Sequence, residues 1–153
     1  MKDKHTLVIV DMQPTVFVAA QKEDVIDGCR RAIKKAIENK NPIIFLEFYG
    51  GRGPTATELT SLTDGYDRAF FLSKSEQDGS PQVTKLMRQK KLPKKKIKVC
   101  GVNTSACVLS TVKGLRAKLD SDLFVLEDAV GGHWDNTWPK FYRDIKNCTI
   151  TRV

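Results

Sequence analysis

Thr6-Leu7-Val8-Ile9-Val10-Asp11 is the stretch that decides the fold. It is a continuous β-branched and aliphatic run without polar alternation, the pattern of a strand covered on both faces, and it ends on a carboxylate. It predicts a central parallel strand. A parallel neighbour requires a crossover, and the next periodic segment supplies one. Between Asp24 and Asn39 the residues Val25, Ile26, Cys29, Ala32, Ile33, Ala36 and Ile37 recur at three- and four-residue intervals, with Arg30, Arg31, Lys34 and Lys35 between them. Pro42-Ile43-Ile44-Phe45-Leu46-Glu47-Phe48 repeats the buried-strand signature. Arg68–Leu72 gives a third, weaker strand after a Gly- and Thr-rich loop from Tyr49 to Gly65. Ser80-Pro81 reads as an N-cap and first-turn proline, opening a helix that reaches Gln89. A strand over Ile97–Gly101, a helix over Thr104–Lys118 and a strand over Asp122–Leu126 follow. A last helix is expected between Asp135 and Lys146, and a sixth strand over Cys148–Arg152. Strands alternating with helices predict a three-layer α/β/α fold around a doubly wound parallel sheet of about six strands. No repeat or boundary interrupts residues 1–153, which read as one domain.

Composition narrows the classes further. At 41% hydrophobic and 29% charged, 153 residues suffice for one core and argue against disorder or fibres. Four cysteines (Cys29, Cys100, Cys107, Cys148) are too few and scattered for a disulfide scaffold, and no C-x-x-C pair suggests structural zinc. Reduced thiols, and so the cytoplasm, are expected. Nothing approaches the roughly 20 apolar residues of a membrane span. Met1-Lys2-Asp3-Lys4-His5 leads directly into a run too short for the apolar region of a signal peptide. The formal charge of +8 permits polyanion contact. However, the basic residues read as dispersed apart from Lys90-Lys91-Leu92-Pro93-Lys94-Lys95-Lys96, and no stacking aromatics interleave them. That run precedes a strand, at the end opposite a ligand crevice, and is expected to be a solvated loop. No nucleic-acid or membrane partner is expected.

In open α/β sheets, ligands bind outside the carboxyl ends of the strands. Three residues there can do chemistry together: Asp11 after the first strand, Lys74 after the third, and Cys107 beyond the fourth. One base, one cation and one nucleophile could share a crevice. A thiol in a first helical turn feels the positive end of the dipole, which predicts a lowered pKa, and nearby unpaired amides could receive an oxyanion.

These residues resemble the isochorismatase-like cysteine hydrolases, a family that includes nicotinamidases and other small-amide hydrolases. The resemblance rests on Val8-Ile9-Val10-Asp11-Met12-Gln13, on Lys74, on Gly101-Val102-Asn103-Thr104-Ser105-Ala106-Cys107-Val108 with Thr111, and on Glu127-Asp128-Ala129. It implies strand order 3-2-1-4-5-6 and a catalytic triad of Asp11, Lys74 and Cys107. It also implies a cis peptide between Val102 and Asn103 and an oxyanion hole from the amides of Asn103 and Cys107. Gln13, Phe17, Tyr49 and His133 would line the substrate pocket, and the protein would be a homo-oligomer acting on a small molecule. Departures from the family pattern matter too. Nicotinamidases hold a metal through an Asp-x-His pair, whereas the matching stretch here, Glu47-Phe48-Tyr49-Gly50-Gly51, has no histidine. No metal and no cofactor are therefore expected. The implied activity is cleavage of a small amide or carbamoyl C–N bond through a thioester. The alternatives are isochorismatase-type vinyl-ether hydrolysis and a catalytically idle binding or interaction protein of the same fold.

Overall fold

Six strands pair in parallel in the computed structural model, which describes residues 3–153. They are β1 (Thr6–Val10), β2 (Ile43–Phe48), β3 (Ala69–Lys74), β4 (Lys96–Val102), β5 (Asp122–Gly131) and β6 (Cys148–Thr151). They lie side by side in the order 3-2-1-4-5-6. Because successive strand side chains point to opposite faces, β1 feeds two cores. Leu7 and Ile9 pack with Ile43, Phe45 and Cys100 beneath α1 (Glu23–Glu38). Val8 and Val10 pack with Ile44, Leu46 and Val99 beneath α3 (Ser80–Lys90) and α4 (Leu109–Lys118). All five residues of β1 are buried, which is why its sequence shows no alternation.

Several boundaries differ from the sequence reading. Ser80 is the first residue of α3 and not its cap; Gly79 holds the cap position, and Asp78 Oδ1 accepts from the Ser80 amide at 2.8 Å. The helix expected from Thr104 begins as a π-helical turn, Thr104–Val108, before α4 takes over. Strand β5 runs five residues beyond Leu126, through a register shift against β4 between Val99 and Gly101. The long loop after β2 contains a short helix, α2 (Thr57–Thr60), and the last helix is only α5 (Lys140–Arg143). No helix among the described residues is long and apolar enough to cross a membrane.

Gly101 carries the approach of β4 to β1. Its φ is +111°, and a Cβ there would sit 2.1 Å from the Val10 carbonyl oxygen. Since neither backbone can yield without breaking the β1–β4 ladder, Gly101→Ala is expected to cost more than about 3 kcal/mol. Thermal unfolding checks this; a melting temperature within about 2 °C of the parent would contradict the close approach.

Candidate active site

The carboxyl ends of β1, β3 and β4 converge on one buried cluster. Asp11 leaves β1 with φ +51°, a left-handed conformation that aspartate tolerates better than most residues, and its amide donates to the Leu46 carbonyl at 3.0 Å. Lys74 is the last residue of β3, not a loop residue beyond it. Its Nζ reaches Asp11 Oδ2 at 3.1 Å and the Glu76 carbonyl at 3.0 Å. On the way it passes 3.9 Å from the centroid of the Phe48 ring at the end of β2. Both charged side chains are 1% exposed. Such a pair is worth little net stability when intact and much when one partner is lost.

Asp11 Oδ1 is buried and without a hydrogen-bond partner. The Cys107 thiol, carried by the π-helical turn and 5% exposed, lies close enough to Asp11 and Lys74 for each to act on its protonation. Burial, followed by the Asp11 charge, pushes the thiol up to about 12, with Lys74 opposing. This corrects the expected lowering at a first helical turn: desolvation and the adjacent carboxylate outweigh the dipole of a single turn. Burial also raises the Asp11 carboxyl above its ordinary range, against the pull of Lys74. The site thus sets a buried thiol with a raised pKa against the Asp11–Lys74 pair.

Around Cys107 the turn is well anchored. The Ala106 and Val108 amides both donate to the Asn103 carbonyl, at 3.0 and 3.1 Å. Thr104 Oγ1 donates to the Gly131 carbonyl, and the Tyr142 hydroxyl donates to the Thr104 carbonyl at 2.5 Å. Thr111, on α4, accepts from the Gly79 amide at 3.0 Å and so ties the helix that follows Cys107 to the segment after Lys74. The Val102–Asn103 peptide is cis. Among the described residues, no turn or cap hydrogen bond uses the Asn103 or Cys107 amide.

The other candidate residues are placed less uniformly. Gln13 is fully buried and spent on backbone: Nε2 donates to the Phe48 and Gly53 carbonyls, and Oε1 accepts from the Phe48 amide. It holds the loop after β2 and has no free group for a substrate. Phe17 is partly buried and packs toward the α1 core. Tyr49 is 62% exposed, and His133 is exposed after β5, its ring 5.7 Å from that of Trp138. The sequence reading missed Phe48 and Arg52. The Arg52 guanidinium stands 4.5 Å from the centroid of the Phe48 ring, and its charge is felt at Asp11. A lysine and an arginine flanking one aromatic in separate segments leave no spacing signal.

A metal of the nicotinamidase kind does not fit these residues. Glu47 Oε2 is occupied by the Thr55 amide and hydroxyl, at 2.7 and 2.8 Å. His5 lies at the other end of the sheet beside Asp3 and Asn41. No cluster of three potential ligands occurs among the described residues.

Residues 5–152 match the isochorismatase domain family. No curated protein matches the sequence. Among solved structures, the nicotinamidase of Staphylococcus aureus superposes with a TM-score of 0.80 at 16% identity, covering 97% of this chain and 98% of that one. The N-carbamoylsarcosine amidase of Thermoplasma acidophilum gives 0.80 at 16%, covering 98% and 96%. The MAR1 ribonuclease of Caenorhabditis elegans gives 0.78 at 20%, covering 99% of this chain and 78% of that one.

Proposed function

Because the chain belongs to the isochorismatase domain family, we propose that it is a cysteine hydrolase that cleaves the C–N bond of a small amide or carbamoyl compound without a metal. One observation carries the reading: Asp11 holds Oδ2 on Lys74 and keeps a buried Oδ1 without a hydrogen-bond partner, while its charge acts on the Cys107 thiol. A buried acceptor without a donor is costly unless a proton is to be delivered to it.

Asp11 Oδ1 takes the thiol proton as sulfur bonds to the substrate carbonyl carbon, and the carbonyl π electrons move to oxygen. The amides of Asn103 and Cys107 are the donors for that oxyanion. Collapse breaks the C–N bond, and Asp11 returns the proton to the departing nitrogen. Water then attacks the thioester, gives its proton to Asp11, and the C–S bond breaks as sulfur recovers a proton. Lys74 favours the charged form of Asp11 before each proton transfer, offsetting the burial that favours the neutral acid.

The neutral, buried thiol favours a second reading, a binding protein without turnover, and the same experiment separates the two. The full chain is offered nicotinamide, pyrazinamide, N-carbamoylsarcosine and further small amides and carbamoyl compounds, and ammonia is measured before and after dialysis against a chelator. Ammonia release that survives the chelator, with hydroxylamine trapping the acyl group as a hydroxamate, is the expected result. Activity lost to the chelator and restored by zinc would remove the metal-free mechanism, and silence across the panel would leave the binding reading.

A further inference from the structure

Between Asp78 and Asp120 the chain has no acidic residue and eleven Lys and Arg residues. The remainder holds fifteen basic and eighteen acidic residues, so the whole positive balance resides in the α3–β4–α4 unit. This corrects the sequence-based expectation of dispersed charge. Within that unit a cavity of about 780 Å³ opens between α3 and α4, and none of its lining residues belongs to the candidate active site. Met87, Leu92 and Leu119 give it an apolar surface; Arg88, Lys91, Lys94 and Lys118 stand around it.

Three of the four cations are not spent on a carboxylate. Lys96 and Lys98 of the same unit pair with Asp3, whereas Arg88, Lys91 and Lys94 have no carboxylate within 4.0 Å among the described residues. Lys118 is held in place by Ser80 Oγ at 2.9 Å, with Asp78 at 3.9 Å. Arg88 and Lys118 lie in last helical turns, where cations offset the helix dipole. That accounts for neither Lys91, which follows α3, nor Lys94, in the connection to β4.

We propose that this cavity is a binding site for a small soluble phosphate monoester with an alkyl or aryl body, the phosphate held by Arg88, Lys91, Lys94 and Lys118 and the body lying on Met87, Leu92 and Leu119. Four cations around one opening, three of them without a carboxylate partner, suit an anion of more than one charge. The volume falls within the roughly 300–1,000 Å³ of small-ligand sites. No aromatic residue lines the cavity, so the stacking surface that single-stranded nucleic acid uses is missing.

Calorimetric titration of the full chain with octyl phosphate tests the assignment. Saturable one-to-one binding is expected, at least about tenfold tighter than inorganic phosphate or octyl glucoside, each of which supplies half of the recognition. Arg88→Ser combined with Lys94→Ser should weaken octyl phosphate at least about tenfold with an unchanged melting temperature, and Leu119→Thr should weaken octyl phosphate but not inorganic phosphate. Absent saturation, equal affinity for inorganic phosphate, or indifference to the double variant overturns the proposal. So does a single-stranded RNA 20-mer that outcompetes octyl phosphate, which would make the surface a polyanion site. Co-sedimentation with phosphatidylcholine vesicles containing phosphatidic acid, at equal phosphate, would reassign it to a membrane and equally overturn it.

Discussion

Cys107→Ala is expected to abolish ammonia release, by about 10⁴-fold or more, because the substitution removes the atom proposed to form the thioester. The same variant should remain folded, since it deletes one sulfur from a packed turn whose anchors are Thr104, Tyr142 and Thr111. Cys100→Ala is the matched control. Cys100 is fully buried inside β4, its sulfur 3.8 Å from that of Cys29 and directed to the α1 core, so activity should survive. Steady-state rates and melting curves of both variants decide the point. An active Cys107→Ala protein would end the covalent mechanism.

The second large effect lies in the ion pair. Asp11→Asn and Lys74→Met should each lower kcat by about 10³-fold, while the double variant should be little slower than either, because the two groups act as one unit. Stability should follow a different pattern. Lys74→Met strands a buried carboxylate, expected to cost about 3 to 5 kcal/mol, and adding Asp11→Asn should restore most of it. Rate losses that simply add, or a double variant no more stable than Lys74→Met, would mean that the pair does not work as described. The parent should lose activity as pH falls through the raised Asp11 pKa, above the ordinary carboxylate range, since the base is then protonated. Asp11→Asn also removes a charge that pushes the Cys107 thiol up, leaving Lys74 opposite a forming thiolate. Iodoacetamide should therefore alkylate the variant faster than the parent even though turnover falls. From the sequence, the loss of a base suggests slower alkylation; the geometry reverses that sign.

The parallel sheet was legible because β1 and β2 are buried on both faces, and that constraint writes itself into an uninterrupted apolar run. Asp11, Lys74 and Cys107 were legible because each ends or follows a strand at the same edge. What could not be read there depends on packing between distant segments. The raised thiol pKa arises from burial in the folded chain and from the Asp11 charge, which no local window contains. Gln13 looked like a pocket residue until its amide was seen bonded to Phe48 and Gly53. The charge of the α3–β4–α4 unit lay in plain sight in the sequence. Its meaning needed the cavity that Leu92 and Leu119 help to form.

The path of Lys74 across the end of β2 ties activity to the order in which the sheet comes apart. Strand β3 is an edge strand, half-exposed along much of its length, with Phe71 52% exposed. Edge elements of this kind open at lower free energy than the strands they flank. A molecule in which β3 has lifted while β1, β2 and β4 stay paired keeps Cys107 and Asp11, the proposed nucleophile and base, and the candidate cavity between α3 and α4 need not open with it. It lacks only the ammonium, and with it the means to keep Asp11 charged. Inactivation by heat or denaturant would then precede the loss of most secondary structure, and the enzyme's working range would be set by its outermost strand, not by the centre of its sheet.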